Sequence, residues 1–172
     1  MSSRVSVGVT GHRAFIQSGS RDFVRSLRNV CSLIELESAG ERPMLFSGLA
    51  DGADCEVAMF ALSRGWDLVA VLASPEVDFV LEHETSETVA MYEKLLGRAQ
   101  RIVIAAPPGT VSPLRYCMVG EQIIEPIEHL IAVWDGDTSS PKAGGTAWVV
   151  EKFLRSGLHS PEKLHHIKVT RA

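Results

Sequence analysis

Short apolar runs rich in β-branched residues alternate along the chain with stretches of helical length, and this alternation constrains the fold more than any other feature. Five such runs lie at residues 4–10, 44–47, 67–73, 101–105 and 129–134. Strands of a parallel sheet are buried on both faces, so they have this continuous apolar character. The sequence therefore predicts an α/β fold in which helices cover both faces of a parallel sheet.

The stretches between the runs predict the helices and the order of the strands. We expect helices at about 20–38, from the loop 48–51 to Arg64, and at 86–97, 113–124 and 144–155. A sixth strand is expected at the sheet edge, over residues 166–170, whereas residues 75–85 fit a loop or a short helix equally well. The economical arrangement is a Rossmann-like doubly wound sheet of about six strands in the order 4-3-2-1-5-6.

Length and composition place the chain among ordinary globular proteins. Its 172 residues, 45% apolar and 22% charged, predict a single domain over residues 1–172 and exclude a disordered chain. Cys31, Cys55 and Cys117 form no C-x-x-C pair, so we expect reduced thiols and a cytoplasmic location. There is neither an apolar signal segment nor an apolar window long enough to span a membrane.

The charge balance argues against one large class of partner. The chain carries 17 basic and 21 acidic residues, which gives a net charge of −4. Proteins that bind nucleic acid along its backbone usually present a basic face, because phosphate contacts supply most of the affinity. Nucleic acid is therefore disfavoured as a partner, although a local basic site is still allowed.

Polar, glycine-bearing segments follow three of the predicted strands. Ligands of such sheets bind outside the carboxyl ends of the strands, near the point where the strand order reverses. The candidate ligand-binding residues there are Gly11, His12, Arg13, Ser47, Gly48, Asp51, Asp54, Asp135, Gly136, Gly144, Gly145 and Thr146. These residues are expected to converge on one rim of the sheet.

The segment Gly144-Gly145-Thr146 at the start of the last helix is the best candidate for a phosphate cradle. Glycines let the backbone approach an anion, and the first N–H groups of a helix have no intrahelical acceptor. Arg13 could grip the same phosphate through paired hydrogen bonds. Two ordinary structural roles would also explain these residues: a turn with a threonine N-cap for the glycine segment, and a surface ion pair for Arg13. Neither G-x-G-x-x-G nor the Walker pattern G-x-x-x-x-G-K-[ST] is present in the sequence.

The acidic candidates favour other parts of a ligand. Asp51 and Asp54 would lie in the first turn of a helix, where they would repel a phosphate. They would instead hold ribose hydroxyls, a base N–H or a phosphate bridged by Mg²⁺, unless they only cap the helix. Asp135 could hold a ribose or belong to an ordinary Asp-Gly turn. His12 could act as an acid or base, yet no Ser, Cys or carboxylate stands at the spacing of a catalytic triad.

Several of these motifs resemble the SLOG superfamily of Rossmann-like domains. The resemblance is carried by Val7-Gly8-Val9-Thr10-Gly11-His12-Arg13, Ser47-Gly48-Leu49-Ala50-Asp51-Gly52-Ala53-Asp54, the run 67–75, Ala132-Val133-Trp134-Asp135-Gly136 and Gly144-Gly145-Thr146-Ala147. The superfamily includes the Lonely Guy (LOG) phosphoribohydrolases, the DNA-processing A proteins and the cytosolic sensor domain of melastatin TRP channels. It implies a pocket for a nucleotide or a nucleotide-derived ligand.

Two branches of the superfamily imply different activities. LOG enzymes carry P-G-G-x-G-T-x-x-E, whose glutamate serves hydrolysis of an N-glycosidic bond; here Val149 takes that position and the first glutamate is Glu151. A shift of two positions along a helix rotates a side chain by about 200° about the helix axis, so Glu151 would point to a different side of the helix from the glutamate of the LOG motif. The segment 47–54 instead matches the S-G-L-A-x-G-x-D motif of the DNA-processing A branch, which binds single-stranded DNA, with Asp51 at the variable position.

These observations leave three hypotheses, which we rank. In the first, the domain binds a nucleoside monophosphate, ADP-ribose or a cyclic nucleotide, with Mg²⁺ as the one cofactor that such a ligand could bring. In the second, a LOG-like hydrolase uses Asp51, Asp54, His12 or Glu151 as acid or base. Binding of single-stranded DNA comes last. A sensor of this size would signal through a partner or through its own oligomer, so we expect a homo-oligomer.

Overall fold

The computed structural model describes residues 4–75, 85–139 and 141–172, which form one parallel sheet with helices on both faces. The strands are β1 (Ser6–Gly11), β2 (Met44–Ser47), β3 (Asp67–Leu72), β4 (Arg101–Ile104), β5 (His129–Trp134) and β6 (Leu164–Lys168). Their order is β4-β3-β2-β1-β5-β6, and every neighbouring pair is parallel. The predicted fold class and strand order are confirmed.

Five α-helices occur in the described part of the chain. They are α1 (Arg21–Glu37), α2 (Ala53–Ser63), α3 (Ser86–Leu96), α4 (Leu114–Ile124) and α5 (Thr146–Arg155). A 3₁₀ turn at Pro161–Lys163 precedes β6. Residues 76–84, in the connection that the sequence left undecided, lie outside the described residues.

The two faces of the sheet carry separate apolar clusters. Along β5, the side chains of Leu130 and Ala132 belong to one cluster, whereas those of Ile131 and Val133 belong to the other. This alternation follows from the two-residue period of a strand. Helices α1, α2 and α3 pack on the Ile131 face, and α4 and α5 pack on the Leu130 face. Both faces are therefore covered, as the apolar runs predict.

The edge strand β6 begins two residues earlier than its apolar pattern indicates. Its expected end is not part of the sheet, because the backbone N–H of Thr170 donates to the side chain of Gln17 at 2.8 Å. The carbonyl of Thr170 accepts from the N–H of Ile16 at 2.9 Å, and Arg171 pairs with Phe15 in an isolated antiparallel bridge. The segment after β6 therefore follows the β1–α1 loop instead of continuing the strand.

Two helix starts also differ from the expectation by one or two residues. Pro113 is the N-cap of α4, not its first helical residue, and the Ser112–Pro113 peptide is cis. Helix α5 begins at Thr146, with Gly145 as its N-cap. Pro113, Gly144 and Gly145, which the sequence assigned to helices, therefore precede the first helical residue of α4 or α5.

The three cysteines are free thiols, as predicted. Cys31 and Cys55 are buried in the cluster on the Ile131 face, and burial raises the pKa of the Cys31 thiol to about 12. Among the described residues, no helix combines the length and the apolar character that crossing a bilayer requires.

Candidate functional site

A cavity of about 720 Å³ opens at the carboxyl ends of the central strands. Its volume falls within the usual range for sites that bind small molecules, and its position is the point where the strand order reverses. The cavity is lined by Val9, Thr10, Gly11, Arg13, Gly48, Ala50, Asp54, Ala73, Ser112, Pro113, Tyr116, Val119, Gly120, Ile123, Lys142, Ala143, Gly144, Gly145, Thr146 and Val149. The loops after β1 and β2 and the start of α5 therefore meet at one space, as the sequence predicts.

The segment Gly144–Thr146 lies at the cavity wall with the N-terminus of α5 directed to the cavity edge. Gly144 has φ +76°, and a Cβ there would lie 2.6 Å from the Cβ of Tyr116, so only glycine allows this packing against α4. Gly145 is the N-cap and no side chain caps the helix. The first N–H groups of α5 are consequently available to an anion, which the helix dipole also favours.

Two cationic side chains, Arg13 and Lys142, line the same cavity. In the part of the chain that the structure describes, neither side chain makes a hydrogen bond or an ion pair. A guanidinium and an ammonium beside an uncapped helix N-terminus create a local positive field in a protein whose net charge is −4. Arg13 was among the residues that the sequence places at this rim of the sheet, whereas Lys142 was not; the phosphate contact expected of Arg13 stays a prediction.

Backbone contacts fix the loop that carries Arg13. The N–H of His12 donates to the carbonyl of Val133 at 2.9 Å, and the carbonyl of His12 accepts from the N–H of Ala53 at 3.0 Å. Gly52 packs so tightly that a Cβ there would lie 2.2 Å from the carbonyl oxygen of Arg13. The loops after β1 and β2 thus form one interlocked unit, which limits the positions that the Arg13 side chain can reach.

His12 and Asp135 interact with each other behind this loop and do not line the cavity. His12 is buried, and its Nε2 lies 3.1 Å from Asp135 Oδ2, whereas its Nδ1 lies 3.4 Å from a guanidinium nitrogen of Arg171. The backbone N–H of Asp135 donates to the same Nε2 at 3.1 Å. Both ring nitrogens are thus engaged, which makes His12 a positioning residue for the loop.

Asp135 is held as a carboxylate in this arrangement. The backbone N–H of Asp137 donates to its Oδ1 at 3.0 Å, which holds the pKa of Asp135 below its usual range, and His12 and Arg171 act in the same direction. Of the two open interpretations of the Asp-Gly pair, the geometry therefore favours turn chemistry over ribose binding. Gly136, with φ +84°, follows in the same turn and lies against His166.

Asp54 lies in the cavity wall with only 9% of its surface exposed. Burial raises the pKa of its carboxyl to about 7, although the N–H of Ala50 and the charge of Arg13 act in the opposite direction. The Ala50 N–H donates to Oδ2 at 3.4 Å. Burial therefore favours the neutral form of this carboxyl, and its repulsion of a phosphate in the cavity is weaker than that of a fully charged aspartate.

The remaining candidates lie outside the cavity. Ser47 is fully buried, and its hydroxyl accepts from the N–H of Leu49 at 3.1 Å, so it shapes the loop after β2. Asp51 is half-buried and is absent from the cavity lining. Glu151 lies in a separate groove between α4 and α5, where it pairs with Arg155 at 2.9 Å. At the position that the LOG motif gives to glutamate, Val149 lines the cavity instead.

Helix α4 forms a wall of the cavity that the sequence analysis missed. The wall residues on α4 and at its start are Ser112, Pro113, Tyr116, Val119, Gly120 and Ile123. One signal was present, because glycine inside a helix costs about 1 kcal/mol relative to alanine and so indicates a close approach. A Cβ at Gly120 would lie 2.8 Å from the ring of Trp148, which shows that this glycine lets α4 approach α5.

No cluster of three or more His, Cys, Asp or Glu side chains suited to a metal ion occurs within 4–75, 85–139 and 141–172. The predicted Mg²⁺ would therefore depend on oxygens from its ligand, with Asp54 as the carboxylate in the cavity wall. Its presence stays a prediction.

The comparisons with known proteins support the fold. No family model and no curated protein sequence matches this chain. Among solved structures, the chain is similar to DNA processing protein A (DprA) from Streptococcus pneumoniae, with a TM-score of 0.62 and 21% identity, over 90% of this chain and 48% of that one. It thus spans about half the length of the solved protein. The chain has the Rossmann-like fold found in DNA processing protein A, which is the fold that the resemblance to the SLOG superfamily implies.

Proposed function

We propose that the domain binds a nucleotide or nucleotide-derived small molecule whose phosphate lies at Gly144–Thr146. The observation that carries the proposal is the convergence of the uncapped N-terminus of α5 with Arg13 and Lys142 in one cavity. Backbone N–H groups would take the phosphate oxygens, and the two side chains would neutralise the charge.

The rest of the cavity suits the remainder of such a ligand. Tyr116, Val119 and Ile123 give the α4 wall an apolar surface against which a planar base could pack, and Asp54 adds a hydrogen-bonding group. A nucleoside monophosphate, ADP-ribose or a cyclic nucleotide would combine these properties. A homo-oligomer that transmits ligand binding remains part of the proposal.

We do not extend the proposal to hydrolysis of an N-glycosidic bond. Of the four acid–base candidates in the sequence, only Asp54 lines the cavity, while Glu151 pairs with Arg155 elsewhere and His12 has both ring nitrogens engaged. The glutamate that the LOG-type reaction needs is replaced by a valine at the cavity wall.

Thermal unfolding with a nucleotide panel tests the proposal. A ligand at 100 times its dissociation constant should stabilise the domain by about 2.7 kcal/mol, which raises the Tm by roughly 5–11 °C for a chain of this size. The variant Gly145→Asp should abolish the shift, because it places a carboxylate at the N-cap, where it satisfies the helix and repels the phosphate.

Gly145→Asn is the matched control for this experiment. Gly145 has φ −81° and ψ 176°, an extended conformation that both residues adopt, and each is a favourable N-cap. A Cβ at this position would lie 3.1 Å from the carbonyl oxygen of Lys142 in both variants, so any cost of that contact is the same in both, and only the aspartate carries a charge. A wild-type Tm that stays constant across the panel, or an equal loss of the shift in both variants, would contradict phosphate binding at this helix.

Binding to single-stranded DNA is the alternative that the similarity to DNA processing protein A raises. We expect at most weak association with a 20-nucleotide strand at 50 mM salt, since the net charge is −4 and the described cavity wall is a small concave site with two cations, Arg13 and Lys142. Fluorescence anisotropy against salt concentration measures this directly. A slope of log affinity against log salt that corresponds to several phosphates would favour the nucleic-acid alternative instead.

A further inference from the structure

The carboxyl of Asp54 is a buried polar group that faces the cavity with little compensation. It is 9% exposed, and its one hydrogen bond among the described residues is the long contact from Ala50 N–H to Oδ2. A carboxylate has about four lone-pair positions, and burial without partners is costly. The group therefore has unused hydrogen-bonding capacity directed at the space that a ligand would fill.

Asp54 and the phosphate cradle come from different parts of the sheet edge. Asp54 follows β2, Arg13 follows β1, and the cradle follows β5; these three strands are consecutive in the sheet. All three segments line the same cavity, whose volume of about 720 Å³ can hold a ligand that contacts each of them.

The charges around Asp54 determine what it can accept there. Of the two cations that line the cavity, Arg13 is the one whose charge acts on Asp54, while Asp51 and Glu56 are acidic residues on the same loop and helix as Asp54. A second anionic group or a bare acceptor oxygen placed against this carboxylate would be repelled. A hydroxyl or amino group would instead supply the donor that the carboxylate lacks.

We propose, on the basis of the proposed function, that Asp54 is a specificity-determining residue that selects phosphate-bearing ligands with a hydroxyl or amino donor at the end of the ligand away from the phosphate. The ligand class is thus a phosphorylated sugar or nucleotide with a free ribose diol or an exocyclic amine. Ligands with a carbonyl, a second phosphate or only hydrogen at that place bind less well.

Titrations of four probes against the wild type and Asp54→Asn at pH 8.5 test this inference. The probes are inorganic phosphate, AMP, IMP, which replaces the amine of AMP by a carbonyl, and 2′,3′-dideoxyadenosine monophosphate, which lacks the diol. In the wild type, AMP should bind about 10-fold more tightly than at least one of its two analogues, as a hydrogen bond to a charged group implies. In Asp54→Asn, that ratio should fall below about 3-fold.

Inorganic phosphate separates a hydrogen bond from a general charge effect. Removing the Asp54 charge lowers the repulsion of any anion, so phosphate should bind Asp54→Asn a few-fold more tightly, while the advantage of AMP over phosphate falls about 10-fold. A purely structural or electrostatic role would move both affinities in the same direction.

The outcomes distinguish this inference from the function on which it rests. Selectivity that is equal in the wild type and in Asp54→Asn, with binding retained, would overturn the inference and leave the proposed function intact. Wild-type protein that binds none of the four probes would overturn both. Because asparagine can still accept from Ala50 N–H, the variant should fold, and its thermal unfolding verifies this in the same samples.

Discussion

Replacing Gly52 with alanine should lower the free energy of unfolding by about 3–5 kcal/mol, the largest single effect that we expect on stability. Gly52 has φ +78° and ψ −122°, a region that is essentially restricted to glycine. The new Cβ would also lie 2.2 Å from the carbonyl oxygen of Arg13 and 2.6 Å from that of His12. Backbone atoms cannot move aside as a flexible side chain can, so the loops after β1 and β2 must separate.

The Tm measured by differential scanning calorimetry should fall by roughly 10 °C or more in this variant. Gly65→Ala is the matched control, because Gly65 also has a positive φ, +84°, but nothing lies within 4 Å of a Cβ placed there. It should cost about 1 kcal/mol, which is the penalty of the backbone conformation alone. Equal losses in the two variants would mean that the contact between the loops contributes nothing.

Asp54→Asn should stabilise the domain at neutral and alkaline pH by up to about 4 kcal/mol relative to the wild type. Burial raises the pKa of the Asp54 carboxyl in the native state to about 7, whereas its unfolded value is near 3.8. The stability that the protonated group provides is complete below pH 4 and is lost as the pH rises toward 7 and beyond. The variant lacks this group, so its advantage should grow across that window and then remain constant.

Urea unfolding at steps of half a pH unit from pH 4 to pH 9 gives the free energy of unfolding of the wild type and of Asp54→Asn. The contributions of the other titrating groups cancel in the difference between the two values. Glu35→Gln provides a control of opposite sign, because the hydrogen bond from Arg64 holds the pKa of Glu35 below its usual range, with Trp66 acting in the same direction. That variant should lose stability relative to the wild type as the pH rises above the acidic range. A difference for Asp54→Asn that does not change between pH 4 and pH 8 would contradict a raised pKa.

The sequence predicted the sheet well because strands that are buried on both faces have a locally apolar composition. β2 and β5 were predicted to the residue, since each is a short apolar run between polar or glycine-bearing loops. β6 was placed two residues late because its end is decided by contacts with Gln17 and Ile16, about 150 residues away in the chain. A local pattern contains no information about such a partner.

The candidate site was predicted in part for the same reason. Glycine motifs indicated the segment Gly144–Thr146 and the loops after β1 and β2 as parts of the cavity wall, because a close approach of two backbones requires glycine locally. The contact between His12 and Asp135 could not be predicted from the sequence, because it depends on the packing of β1 beside β5. The wall of α4 was missed because its residues look like those of any amphipathic helix, and only Gly120 departs from that pattern.

The contact of Arg171 with the His12 loop has a consequence for the order of events during synthesis. The two residues are 159 positions apart, so a ribosome adding about 5–20 residues per second needs roughly 8–30 s between them. Throughout that interval the β1–α1 loop, with Arg13, lacks the neighbour that supports it. The proposed phosphate binding should therefore be acquired late, after Arg171 has been added, and nascent chains that stop before β6 should form much of the sheet without the supported β1–α1 loop.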